Sequence, residues 1–254
     1  MTENQWKSFC KFKVKFKNLC DLWAQNHDEL FLLQQQIMGT DADYNIETPV
    51  VYNTDYDKIT REDEINLIVI GDNPGKEEQL LKNQRYLCGQ SGRLADGFFK
   101  RNPELKTDFR KNVIIMNKTP VHTAKTTQLK DMIKKGSARI KQLIEESQKE
   151  MAKLAAGLHK ELVEFSAQGK MKPELWLVGY SELKPKKIFE LYRDTLKAEY
   201  SQNKKAWDKV FVYQHFSMNR FLLDLREFVK NNPELSLKEN LENLGHLHRN
   251  EIFE

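Results

Sequence analysis

The sequence predicts an α/β fold, a three-layer sandwich with a four-stranded parallel central sheet and helices on both faces. Three observations predict it. Four short stretches, "INLIVIG" (65–71), "NVIIMN" (112–117), "ELWLVG" (174–179) and "KVFVYQH" (209–215), are almost continuously apolar, as strands covered on both faces are. Each is separated from the next by enough chain for a helical crossover, which parallel strands require. A helical pattern also follows each stretch, and that strand–helix alternation is the signature of a parallel sheet.

Taken in order, residues 1–38 read as an N-terminal helix, because Trp6, Phe9, Phe12, Phe16, Leu19, Leu22, Leu30 and Leu33 recur mostly every three or four positions. Residues 39–64 are polar and turn-prone and read as a loop or weakly structured approach. Between the strands, "GRLADGFFKR" (92–101), residues 127–168 and "PKKIFELYRDTLKAEY" (185–200) read as crossover helices, with "RFLLDLREFVKN" (220–231) after the last strand. The expected organisation is one domain, 1–254, with its core at about 60–230, a helix and loop at 1–60, and a helical insertion at 124–170.

That second crossover is long and charged. It carries Lys125, Lys130, Lys134, Lys135, Arg139, Lys141, Lys149, Lys153 and Lys160 among Glu145, Glu146, Glu150 and Glu161. A mixed-sign face reads first as solvated helix. Its start, Lys125 to Lys135, has only Asp131 as an acid and is the part suited to phosphate.

Composition excludes several classes. The 254 residues, 39% hydrophobic and 31% charged, suit a globular protein. No apolar run approaches a membrane span, and the N-terminus lacks a signal-peptide core, so the expectation is a cytoplasmic protein without a membrane partner. The three cysteines, Cys10, Cys20 and Cys88, form no C-x-x-C pair. No disulfide framework, metal site or iron–sulfur cluster is expected. The net charge of +4 permits a polyanionic partner without demanding one.

In open parallel sheets ligands bind beyond the carboxyl ends of the strands. Here the strand exits read "GDNPG", "NKTPVH", "GYSE" and "HFSMNR", and all carry Asn, Asp, His or Ser. Gly75-Lys76 is no P-loop, because Ile70 stands where the first glycine belongs and Glu77 follows the lysine. A dinucleotide fingerprint is likewise absent from the first crossover. Asp72 and Asn73 are ordinary turn residues, and they are also groups that can orient a water and accept its proton or hydrogen bond. His215 is a structural histidine or a donor to a developing oxyanion. Asn117 is a plain strand-end amide, or one that pairs with a carbonyl and a ring N–H together, the edge a pyrimidine such as uracil presents.

In this order these residues resemble the uracil-DNA glycosylase superfamily. "GDNPG" is similar to its first motif, G-x-N-P-G or G-E-A-P-G. "RYLCGQSGRLADGFF" resembles the F-V-G-x-x-G-x-L-L segment of the iron–sulfur branch, and "VIIMN" the strand ending in a base-recognising Asn. "ELWLVGYSEL" resembles the third strand and its turn, and "VYQHFSMN" the final H-P-S motif. The likeness spans about residues 65–225. It implies a DNA glycosylase acting on uracil or a related deaminated base, without cofactor or metal. Asn73, with Asp72 second, would place the attacking water, and His215 would stabilise the departing base. Asn117, together with Gly71, would bind that base. Leu87 stands where the iron–sulfur branch has a stacking Phe, so stacking on the base would be weaker or would fall to Tyr86. Ser217 would hold phosphate. Met218, Asn219 and Arg220 are candidates for the wedge and for backbone contact, and Arg93 and Lys118 for backbone contact. Phe216 replaces the Pro of H-P-S, and the cysteine quartet is missing. The alternative is a catalytically altered protein of this fold that binds nucleic acid or protein; protein partners are not identified. A third reading is a purely structural α/β protein.

Overall fold

The structure is a computed structural model, and it describes residues 1–39 and 44–254. Four strands, β1 (Leu67–Gly71), β2 (Val113–Asn117), β3 (Glu174–Val178) and β4 (Val210–Tyr213), form one sheet in the order β2-β1-β3-β4, with every pairing parallel. All residues of β1, β2 and β4 are buried. Successive side chains point to opposite faces, so both faces are covered. The three-layer α/β sandwich expected from the apolar runs is the fold observed.

The helices are α1 (Glu3–Ala24), α2 (His27–Met38), α3 (Gln90–Arg101), α4 (Thr126–Lys135), α5 (Ala138–Glu164), α6 (Glu190–Glu199), α7 (Lys204–Trp207), α8 (Arg220–Asn231) and α9 (Leu237–Phe253). The N-terminal stretch expected as one helix is divided, and the long helical crossover consists of two helices. At the N-terminus, the Asn26 side chain donates to the Trp23 carbonyl at 3.2 Å and interrupts the ladder between α1 and α2. In the long crossover, Gly136 ends α4 and the Ser137 hydroxyl accepts from the Ile140 N–H to start α5.

Two further differences concern the ends of the chain. Helix α9 packs against β4, and Tyr213 donates to the Leu241 carbonyl at 2.9 Å. Within the approach segment, residues 44–64 are far from loose. Val51 and Tyr56 are buried in the core, and the Tyr56 hydroxyl donates to Ile115 O of β2 at 2.6 Å. One apolar core runs from Phe9 to Ile252. Among the described residues no helix is long and apolar enough to cross a membrane.

β1 lies centrally: the chain goes to β2 on one side of it and then crosses to β3 on the other. Such a reversal of direction opens a crevice at the carboxyl ends of the two central strands. The 71–75 turn leaves β1 into that crevice.

Candidate active site

A cavity of about 530 Å³ occupies the crevice, and residues from all four strand exits line it. Asp72 and Asn73 come from β1, Asn117 from β2, Gly179 from β3, and Gln214 and His215 from β4. The sheet register brings the first pair of exits together, since Gly71 is opposite Asn117. A Cβ on residue 71 would lie 2.5 Å from Asn117 Oδ1, so glycine is needed there for Asn117 to reach the cavity.

The β1 turn is clamped by the segment after β2. His122 Nδ1 donates to the Pro74 carbonyl at 2.8 Å, and burial holds its pKa down at about 4, so the ring is neutral. The Thr123 N–H donates to the same carbonyl at 3.2 Å. Asn73 Nδ2 donates to Thr123 Oγ1 at 2.8 Å and to Thr123 O at 3.0 Å. With its donors spent, Asn73 has its Oδ1, an acceptor only, beside the Thr126 hydroxyl.

Asp72 is engaged differently. Its Oδ1 pairs with Lys118 Nζ at 2.6 Å, and that ammonium also donates to Val178 O at 2.6 Å and Gly71 O at 3.3 Å. Lys118 is fully buried, which corrects the expectation that it contacts a DNA backbone. Burial pulls its pKa down and the Asp72 carboxylate opposes that pull. Gly179, at φ +96°, makes room for the pair, because a Cβ there would run into Asp72 Oδ1.

On the opposite wall the His215 ring has its tautomer set by the next turn. The Ser217 N–H donates to His215 Nδ1 at 3.1 Å, and the Ser217 hydroxyl lies 2.7 Å from the same atom. Nδ1 is therefore an acceptor, and the neutral ring carries its proton on Nε2. Burial lowers the His215 pKa and so does Lys118, while Asp72 raises it. Phe216 turns inward against Phe109 and Phe221 and anchors the loop. Beyond it, Met218 and Asn219 both adopt left-handed backbone, at φ +51° and +56°, and Met218 is 71% exposed at the cavity rim. Consecutive left-handed residues without glycine store strain and tend to occur at functional loops.

Leu87 and Tyr86 part company. Leu87, at φ +48°, lines the cavity, with its carbonyl held by Arg110 and packed against Gly92. Tyr86 is fully buried and donates to Val51 O at 2.6 Å, which corrects its assignment as a stacking face in this cavity. Ser217 and Arg220 line the cavity, whereas Asn219 and Arg93 are exposed outside its lining. Lys125 lines it as well, while Lys130 is paired with Glu182 at 3.0 Å.

The sequence reading missed Glu78. It lines the cavity and is buried, and its pKa is pushed up to about 7 by that burial. "GKEEQL" gave no signal, because adjacent acids in a polar stretch read as solvated loop. What pulls Glu78 in is its neighbour. The Gln79 amide is fully buried, accepts from the Glu47 and Thr48 N–H groups and donates to Asn45 O, drawing the loop onto the approach segment. Thr123, Thr126 and Gln214 were missed too: Gln214 directly follows β4, while Thr123 lies between β2 and α4 and Thr126 starts α4.

The set offers a fixed acceptor (Asn73), a fixed donor (His215 Nε2) and an amide (Asn117) around one cavity. That arrangement can position a water and stabilise a leaving anion. Among the described residues no group of three or more His, Cys, Asp or Glu side chains could hold a metal ion. No family model, curated protein or solved structure matches the chain.

Proposed function

We propose that the protein is a DNA glycosylase that flips uracil or a related deaminated base into this cavity and hydrolyses its N-glycosidic bond. The observation that carries the reading is the convergence of Asn73, Asn117 and His215, from three strands, on one cavity with the hydrogen-bonding sense of Asn73 and His215 already set.

Asn73 Oδ1 accepts a hydrogen bond from the attacking water and aims its lone pair at C1′. Asn117 pairs with the base edge. His215 Nε2–H donates to the base oxygen on which negative charge grows as the bond breaks. Asp72 keeps Lys118 charged and acts as the second candidate for the water, through the oxygen not given to Lys118. Met218 at the rim suits a wedge into an opened base step, and Lys125, Arg220, Ser217 and Arg93 suit backbone phosphates. Unstacking costs a few kcal/mol and is least for a mispaired or single-stranded base, so the preferred substrates are those.

The experiment uses single- and double-stranded oligonucleotides carrying uracil, hypoxanthine, xanthine or hydroxymethyluracil, followed by alkali at abasic sites. Strand breaks above those of the Asn73→Ala, His215→Ala double variant are expected with at least one base. The aliphatic Leu87 at the cavity wall, where no aromatic face stacks, favours the non-catalytic nucleic-acid binder. DNA affinity with a steep salt dependence and no base release would be that protein's behaviour.

A further inference from the structure

Three buried polar atoms on residues lining the cavity have no hydrogen-bond partner: Asn117 Nδ2, Glu78 Oε2 and Glu182 Oε2. Glu182 Oε2 is ion-paired with Lys130 at 3.0 Å, which leaves Asn117 Nδ2 and Glu78 Oε2. Asn117 is 1% exposed and Glu78 7% exposed. Both line the same cavity, and the Asn117 amide favours the ionised Glu78 carboxyl, although no hydrogen bond joins the two. Buried donors and acceptors are rarely left open without a functional reason. Nδ2 and Oε2 are also a donor and an acceptor, so each is what the other lacks.

We propose that Glu78 is a positioning residue that sets which end of the Asn117 amide is turned to the base, and so whether the site reads a lactam or an amidine edge. The proposal rests on the glycosylase reading for its substrate and deepens it to a rule of selection. A carboxylate only accepts, so ionised Glu78 holds Nδ2 and leaves Oδ1 for the cavity. Oδ1 in turn only accepts, and it demands a ring N–H. Uracil and other deaminated bases carry an N–H on that edge; cytosine has an unprotonated ring nitrogen there. A protonated Glu78 reverses the logic. Its O–H donates to Oδ1 of the flipped amide, Nδ2 faces outward, and an amidine edge becomes acceptable.

The carboxyl sits where that choice is open near neutral pH. Burial raises its pKa to about 7, against the backbone N–H groups of Gly75 and Leu87, the Asn117 amide and the charge of Arg110. The Cys88 thiol and the Tyr86 hydroxyl are near enough to feel its charge, and both are held protonated by burial, Cys88 with a pKa of about 11. Across the cavity stand His215 and the Asp72–Lys118 pair. The sign follows: discrimination for the lactam edge is complete above the Glu78 pKa and weakens as pH falls through it.

The test has two arms on the full chain. In the first, side-chain NMR follows the Glu78 carboxyl and the Asn117 amide protons from pH 5 to 9. The Asn117 signals should shift with the Glu78 titration and lose that response in Glu78→Gln and Glu78→Leu. In the second, oligonucleotides carrying uracil or cytosine are compared at pH 6 and pH 8. The uracil-to-cytosine ratio of base release should rise by about tenfold with pH, the effect of one misdirected buried hydrogen bond, and become flat in Glu78→Gln. Asn117 signals that ignore Glu78, or a pH dependence of the ratio that persists in Glu78→Gln, overturn the proposal. No base release from any oligonucleotide, with Asn117 still following Glu78, refutes the glycosylase reading and the selection rule but keeps the positioning contact.

Discussion

On the proposed reaction, His215→Ala is expected to lower the single-turnover rate of base release by about 10²–10³-fold, the cost of removing one positioned donor from a developing anion. The donor matters because its direction is fixed before substrate arrives: Ser217 occupies Nδ1 and leaves the proton on Nε2. The pH dependence has a definite sign. Burial lowers the His215 pKa, so the ring stays neutral to lower pH than an ordinary histidine does. Protonation would place a second N–H at Nδ1, against the Ser217 N–H. The His215 contribution to the rate is therefore expected to hold at higher pH and to decline as pH falls through the lowered pKa. A His215→Gln variant tests the direction, because its amide can donate to the base without a charge change and should recover part of the loss.

The second large effect is on stability. Asp72→Ala strands the Lys118 ammonium in the interior with two carbonyl oxygens and the face of Phe189 as its remaining neighbours and no directly paired carboxylate, at a cost of about 3–5 kcal/mol. For a chain of this size that corresponds to a fall in Tm on the order of 10 °C. The double variant Asp72→Ala, Lys118→Met removes both charges and fills the space with an apolar chain, so it should be more stable than Asp72→Ala alone. Thermal unfolding of the wild type and the two variants checks the order. Equal losses in the single and double variants would mean that the pair is not what holds the two central strand exits together.

The difference between these two residues and their appearance in the sequence is instructive. Asn73, Asn117 and His215 were legible because each stands at or next to the end of a continuous apolar run, and parallel strands send such residues to one edge. Asp72 was legible as a turn carboxylate but not as half of an ion pair. Lys118 follows Asn117 directly and looks like an exposed cation leaving a strand. Its burial depends on Gly179, 61 positions later, whose missing side chain leaves the space. Glu78 was illegible for a related reason, since its burial is imposed by the Gln79 anchor on residues 45–48. Tyr86 and Leu87 are adjacent and apolar, and only the left-handed backbone at Leu87 decides which of them meets the cavity.

The fold divides along the same line. Strand positions follow from local apolar runs, and the structure places all four within a residue or two of the expected bounds. The breaks between α1 and α2 and between α4 and α5 depend on single side chains, Asn26 and Ser137, acting on backbone groups. "KKGSAR" does carry a stop and a start, Gly then Ser, that a strict cap reading would detect. The approach segment reads as polar loop, yet Val51 and Tyr56 are core, because the approach backbone pairs with the segment after β2 at Val50 and Val121.

The most direct measurement is mass-spectrometric detection of free base. Protein from a host with no uracil-excising activity of its own is incubated with a uracil-containing single strand, beside the Asn73→Ala, His215→Ala double variant. The proposed reaction predicts free uracil and one abasic site per uracil lost with the wild type, and neither with the double variant. Intact uracil-containing DNA after prolonged incubation with the wild type, or equal release by both proteins, would contradict it.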